Sequence, residues 1–154
     1  MIIAIGSDHR GYAIKTRLLA MLAEAGHEPV DCGTDSTDVV DYPDYAARVA
    51  EAVSTGRAQR GILICCTGIG MAMAANKFPG VRACPCHDEM TARLSRQHND
   101  ANVLCLSADL LGERMLNRLT EIWLATDFEG GRHARRLEKI AELEARWLKP
   151  ARGA

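Results

Sequence analysis

Neither sign of charge dominates this sequence: 19 Lys and Arg stand against 20 Asp and Glu, for a net charge of −1 and an isoelectric point near 6.5. No global field therefore draws nucleic acid or an anionic lipid surface, and any basic site must be local. Long apolar runs are also missing. The stretch from Met1 to Ile5 reaches Ser7-Asp8-His9-Arg10 at once, has no basic leader and is far too short for a signal peptide or a membrane span. The expectation is a cytoplasmic protein without a membrane partner. Internal repeats, low-complexity segments and long linkers are absent, so the 154 residues are expected to form a single domain, 1–154, with a substantial core.

Six cysteines are present, but four lie in or at the ends of apolar strand-like runs and nothing suggests secretion, so reduced thiols are expected. Cys84-Pro85-Cys86-His87 offers metal-ligating types, yet no second Cys/His pair at zinc-like spacing accompanies it. No metal is expected. Two phosphate-binding loops are lacking as well: no Gly-Lys-Ser/Thr follows the glycines after residue 67, and Gly6-Ser7-Asp8-His9-Arg10-Gly11 lacks the Gly-x-Gly-x-x-Gly spacing. A cysteine-phosphatase loop is excluded too, because Met71 and Ala72 stand where its phosphate-clamping arginine belongs.

What is present centres on Gly61 to Lys77. Ile62, Leu63 and Ile64 make a short β-branched apolar run, which predicts a parallel strand buried on both faces. Cys65, Cys66 and Thr67 follow, then a turn through Gly68-Ile69-Gly70 into a Met- and Ala-rich helix. Thiol and hydroxyl groups thereby meet the unpaired N–H groups of a first helical turn, where an anion can be held. A helix N-terminus lowers a thiol's pKa from about 8.5 toward the thiolate, which makes Cys65 a candidate base or nucleophile; an inert buried cysteine is the alternative.

Around this segment the pattern alternates. Strands are expected at 2–6, 29–32, 81–86 and 102–106, with helices from about 10, 41, 88 and 111 and a last helix at 132–148. This order implies βαβ units and a parallel sheet covered on both faces, with ligands beyond the carboxyl ends of the strands. Asp8-His9 after the first strand are either a proton-handling pair or a capping turn. Arg132 and Arg136, four residues apart, share a helix face and can grip phosphate, or pair with Glu138 and Glu142. His98-Asn99-Asp100 precedes the last strand and so belongs to the opposite sheet edge; it need not share a pocket with the other groups within a monomer, and a second subunit could bring His98 into place. Taken together, a base, amides for an oxyanion, a histidine and an arginine clamp fit proton transfer beside a carbonyl of a small phosphorylated molecule.

Gly6–Gly11, Asp41-Tyr42-Pro43-Asp44-Tyr45-Ala46, Gly61–Cys65, Thr67–Gly70, Ala74–Lys77, Arg96-Gln97-His98-Asn99-Asp100 and Gly130-Gly131-Arg132-His133 run in order along nearly the whole chain. Jointly they resemble the ribose-5-phosphate isomerase B and galactose-6-phosphate isomerase family of sugar-phosphate isomerases. The resemblance implies a Rossmann-like three-layer α/β/α sandwich with a five-stranded parallel sheet, a homodimer or dimer of dimers, and active sites at the subunit interface. It also implies that the last helix packs on the partner.

By the same resemblance Cys65 moves a proton between C2 and C1 of the opened sugar, and Thr67 with the amides of Gly68, Ile69, Gly70 and Met71 holds the enediolate oxygen. His98 from the neighbouring subunit would assist ring opening. Asp8 would hold sugar hydroxyls, Asn99 would contact substrate, and His9, Arg132 and Arg136 would bind phosphate. No cofactor is implied. Ribose 5-phosphate is the first substrate expected, a hexose 6-phosphate or tetrose 4-phosphate the next, and a non-catalytic sugar-phosphate sensor the alternative outside the class. Two residues depart from the family pattern: Cys66 stands where a glycine is usual, and Asp109 where many members carry an arginine. An acid there repels phosphate unless it faces away or pairs with an arginine.

Overall fold

The computed structural model describes residues 1–147. In it the apolar runs become five strands in one parallel sheet. The strands are β1 (Ile2–Ser7), β2 (Glu28–Asp31), β3 (Arg60–Cys65), β4 (Ala83–Pro85) and β5 (Val103–Ser107), in the order β2-β1-β3-β5-β4. Six helices alternate with them and follow them: α1 (Tyr12–Glu24), α2 (Tyr42–Ser54), α3 (Ile69–Ala75), α4 (Glu89–Gln97), α5 (Glu113–Ala125) and α6 (Arg132–Trp147). The α/β sandwich expected from the sequence is observed, with β3 at its centre.

Side chains alternate across the pleat, and both faces are buried because helices cover both. On one side Ala4, Leu63, Cys65, Val103 and Cys105 pack under Ala46, Val49 and Ala50 of α2 and Met71, Ala72 and Ala75 of α3. On the other, Ile3, Ile5, Ile62, Ile64, Leu104 and Leu106 pack under Leu18 and Leu22 of α1, Ala92 of α4, and Leu116, Leu119, Ile122 and Trp123 of α5. On α5 Met115 is exposed and Leu116 takes the inward position. Leu148, expected at the end of α6, lies outside the described residues.

Two buried charges were not foreseen. Lys15, on α1 among apolar neighbours, is 1% exposed and pairs with Asp31 at the end of β2. Arg96, 3% exposed, donates to Asp100 Oδ1 at 2.7 Å and to the Ala101 carbonyl at 2.6 Å, and its guanidinium lies 5.7 Å from the Trp123 ring centroid. Asp100 has φ of 43°, a left-handed backbone rare outside glycine, and its second carboxylate oxygen accepts from Arg82 at 2.8 Å. These charge-assisted bonds hold the His98-Asn99-Asp100 turn in place.

Candidate active site

The chain runs outward from β1 to β2 and then returns through α2 to β3, so the strand order reverses between β1 and β3. Such a reversal leaves a crevice at the carboxyl ends of the two strands. Asp8 and His9 leave β1 at this point, and Cys65, Cys66 and Thr67 leave β3.

Cys65 is buried at the end of β3, and its Sγ accepts the Gly68 N–H at 3.2 Å. Gly68 makes that possible: φ is 78°, and an added Cβ would lie 3.2 Å from the backbone of Cys105 and Leu106. The Thr67 hydroxyl accepts the Ile69 N–H at 3.3 Å. Two of the four amides assigned to an oxyanion cradle are thus engaged by the site's own side chains. Those of Gly70 and Met71 have no partner among the described residues and are the donors free for a ligand. The Met71 side chain is fully buried, so this residue offers only its amide.

Asp8 resolves toward the capping turn in part: its Oδ1 accepts the N–H groups of Arg10 and Gly11 at 3.0 and 3.2 Å. His9 Nδ1 accepts the Val40 N–H at 3.3 Å, which puts the ring hydrogen on Nε2, the nitrogen left to donate.

Sequence reasoning missed three neighbours. The Tyr42 ring, at the start of α2, lies against Gly70, where a Cβ would meet it at 2.7 Å. His87, which follows β4, bonds the Thr67 carbonyl through Nε2 at 3.0 Å and fixes that peptide. Arg10 grips Asp109 with Nε to both carboxylate oxygens, 3.1 and 2.9 Å, and Nη2 to Oδ2 at 2.7 Å. Tyr42 sits in a segment legible as a motif, but nothing in spacing aims its ring at residue 70. The Arg10–Asp109 pair answers the charge question raised by Asp109, since the acid meets an arginine. That pair holds the Asp109 carboxyl below its ordinary range, and the guanidinium shifts upward in turn.

His98, Asn99, Arg132 and Arg136 form a separate group. In the β3–β5 register Gly61 faces Val103 and Cys65 faces Ser107, so the turn before β5 lies beside the opposite end of β3. At about 3.3 Å per residue the two ends stand roughly 13 Å apart along the strands. His98 stacks on His133 of α6, ring centroids 4.2 Å apart and 6° from parallel. The Glu129 carboxylate approaches both rings, 3.9 Å from His98 Nε2 and 3.7 Å from His133 Nε2. Burial, with His98 and Arg132 nearby, pushes the His133 pKa down. These three side chains place potential ligand atoms within 4.8 Å of one another. Parallel rings, however, send their lone pairs alongside each other instead of to one point, and Arg132 Nε lies 3.3 Å from His133 Nε2. The His133 Nε2 lone pair is thus already engaged, and the geometry does not suit chelation.

The chain therefore carries two half-sites: Asp8, His9, Cys65, Thr67 and the Gly68–Met71 turn at the carboxyl end of the strands, and His98, Asn99, Arg132 and Arg136 at the amino end.

Comparison with known proteins places the chain. Residues 3–140 match the family described as Ribose/Galactose Isomerase. Ribose-5-phosphate isomerase B of Escherichia coli (strain K12) is 46% identical over 144 residues, 94% of this chain and 97% of that protein. A solved ribose-5-phosphate isomerase B from Clostridium thermocellum superposes with a TM-score of 0.94 at 47% identity, covering 96% of this chain and 99% of that one. The Mycoplasma genitalium enzyme, solved with bound ribulose-5-phosphate, gives 0.91 at 42% identity, covering 94% and 96%. The chain belongs to the Ribose/Galactose Isomerase family of sugar-phosphate isomerases.

Proposed function

We propose that this protein interconverts ribose 5-phosphate and ribulose 5-phosphate by proton transfer through an enediolate. The observation that carries the reading is the Cys65 sulfur at the β1–β3 crevice, bonded to the Gly68 amide and set beside Thr67 and the free Gly70 and Met71 amides. A base next to oxyanion donors is the minimum for moving a proton between adjacent carbons of a hydroxycarbonyl. Pure binding needs no base.

In this reading the Cys65 thiolate takes the proton from C2 of the open-chain aldose. The electron pair moves onto the carbonyl oxygen O1, which the Gly70 and Met71 amides and the Thr67 hydroxyl hold. The proton returns to C1 while the hydroxyl proton on O2 passes to O1, leaving the C2 carbonyl of the ketose. Asp8 holds sugar hydroxyls, and His9 donates through Nε2 to phosphate. The second half-site enters from another copy of the chain: His98 assists ring opening, Asn99 contacts substrate, and Arg132 and Arg136 close on phosphate with charge-assisted bonds. Two features support a homodimer. The half-sites lie at opposite ends of the strands of one chain, and α6 leaves Ile140, Leu143 and Trp147 49%, 55% and 76% exposed on its apolar stripe.

Dimer or larger assembly, the role of each site residue and a cytoplasmic setting are part of this proposal. Among the described residues no helix is long and apolar enough to cross a membrane. The test is conversion of ribose 5-phosphate by the purified protein without added metal, with the Cys65→Ala variant alongside. Turnover lost in Cys65→Ala with ligand binding kept supports the reading. Turnover on hexose or tetrose phosphates alone would move the substrate, and none on any of them would leave a sugar-phosphate sensor.

A further inference from the structure

In the sheet β1, β3 and β5 lie side by side in that order, so a contact between the segment after β1 and the segment after β5 must cross the end of β3. Arg10 and Asp109 make such a contact. Arg10 Nε reaches Asp109 Oδ1 at 3.1 Å and Oδ2 at 2.9 Å, and Nη2 reaches Oδ2 at 2.7 Å, a grip on both oxygens that fixes the two side chains together.

Each partner is also tied to the site through its own segment. The Arg10 N–H donates to Asp8 Oδ1 at 3.0 Å, so the guanidinium and the Asp8 carboxylate belong to one turn. Gly11 lays that turn directly on β3. An added Cβ there would lie 2.7 Å from the Ile64 carbonyl oxygen, which accepts the Asp8 N–H at 3.2 Å. On the other flank the Ala108 N–H donates to the Cys65 carbonyl at 2.8 Å and the Asp109 N–H to the Cys66 carbonyl at 3.2 Å, while the Ser107 hydroxyl donates to the latter at 2.6 Å. The carbonyls of Ile64, Cys65 and Cys66 are thus held by the two flanking segments, and the ion pair joins those segments to each other.

We propose that the Arg10–Asp109 pair is a strap across the end of β3, and that both are positioning residues holding the Cys65–Gly68 turn in place relative to the Asp8 carboxylate. This rests on the reading of Cys65 and Asp8 given above. Folding stability is not what the strap supplies, since side chains 53% and 31% exposed form a pair too open to water to contribute much. Placement is. The sulfur and the carboxylate come from different strands, and a misplacement of about 1 Å between reacting groups can cost about a hundredfold in rate. A tie between the flanking segments removes the relative motion that would part them.

The test combines kinetics with hydrogen exchange on the full chain, in Arg10→Met, in Asp109→Asn, and in the exchanged pair Arg10→Asp with Asp109→Arg. Each single change should lower kcat for ribose 5-phosphate about tenfold while KM moves less than about threefold, and the exchanged pair should regain most of the loss. Amide exchange in peptides covering 64–70 and 107–110 should speed up about tenfold in each single variant and slow again in the exchanged pair.

An ordinary surface ion pair would loosen residues 9–11 alone, and that outcome overturns the proposal. So does an exchanged pair no faster than the slower single variant. If a variant does not fold, the unaltered protein decides: in about 1 M NaCl, where charges are screened beyond about 3 Å, residues 64–70 should exchange faster than in about 0.01 M, and equal exchange overturns the strap. Exchange needs no turnover, so a protein inactive on every sugar phosphate would sink the isomerase reading and leave the strap to be judged by these peptides.

Discussion

The imidazole rings of His98 and His133 are stacked, 4.2 Å between centroids and 6° from parallel, with the Glu129 carboxylate within 3.9 Å of both. His133 is the buried member, and burial first, then the charges of His98 and Arg132, depress its pKa below the ordinary 6.5. An unfolded chain takes up a proton at this residue as pH falls through 6.5, while the folded one resists. The unfolded state then binds more protons, so the contribution of His133 to stability is complete above that value and is lost below it. Urea midpoints should drop between pH 7.5 and 5.5, and His133→Gln should lessen that drop. An equal drop in the variant would mean that other groups set it.

Loss of the Cys65 sulfur should remove the base while leaving the crevice in shape. Cys65→Ala is expected to lower kcat by about 10² to 10⁴ with KM little changed. Steady-state kinetics and calorimetric titration of a sugar phosphate separate the two quantities.

Gly70 and Tyr42 are in direct contact, since a Cβ at 70 would lie 2.7 Å from the ring and 3.0 Å from its hydroxyl. Gly70→Ala should push the ring away and disturb one of the two free amides, lowering kcat/KM by about tenfold to a hundredfold. With Tyr42→Ala already in place the added methyl has room, so its further cost should shrink. Equal costs in both backgrounds would show that the backbone, not the tyrosine, carries the effect.

Lys15 is enclosed and relies on Asp31, which is itself half in solvent. Asp31→Asn leaves the ammonium buried without its counter-charge and should destabilise the fold by about 2 kcal/mol, discounted because solvent screens the exposed partner. Lys15→Met, which removes the buried charge as well, should cost less. The comparison is read from urea unfolding of the two variants.

Much of the fold is legible because local rules and the buried sheet agree. The run Ile62-Leu63-Ile64 has no polar residue to offer solvent, so it could form only a central strand, and Gly68, the one residue type at ease with φ of 78°, marks the turn into α3. The helix starts are less legible. α1 begins at Tyr12, two residues after the expected start, since the Asp8 side chain caps a preceding turn. The strand expected at 81–86 is only Ala83–Pro85, because a sheet edge with one neighbour has fewer partners to extend it.

In the site, Cys65, Thr67, Asp8 and His9 could be marked from sequence since each stands at the end of a strand or within two residues beyond it. Arg10, Tyr42 and His87 could not, as each acts on a residue remote in the chain.

The sequence by itself determined where strand, turn and helix succeed one another and which nucleophile-like groups stand at the end of β3, because these depend on side-chain period, glycine and near neighbours. Tertiary structure alone decided which charges meet. Arg10 finds Asp109 across 99 positions, Lys15 finds Asp31 across 16, and Arg82 finds Asp100 across 18. It also decided that Arg132 and Arg136 stand with His98 at the end of the strands opposite Cys65. Periodicity assigns a residue to a face, but parallel strand order assigns that face a neighbour, and only the folded sheet fixes that order.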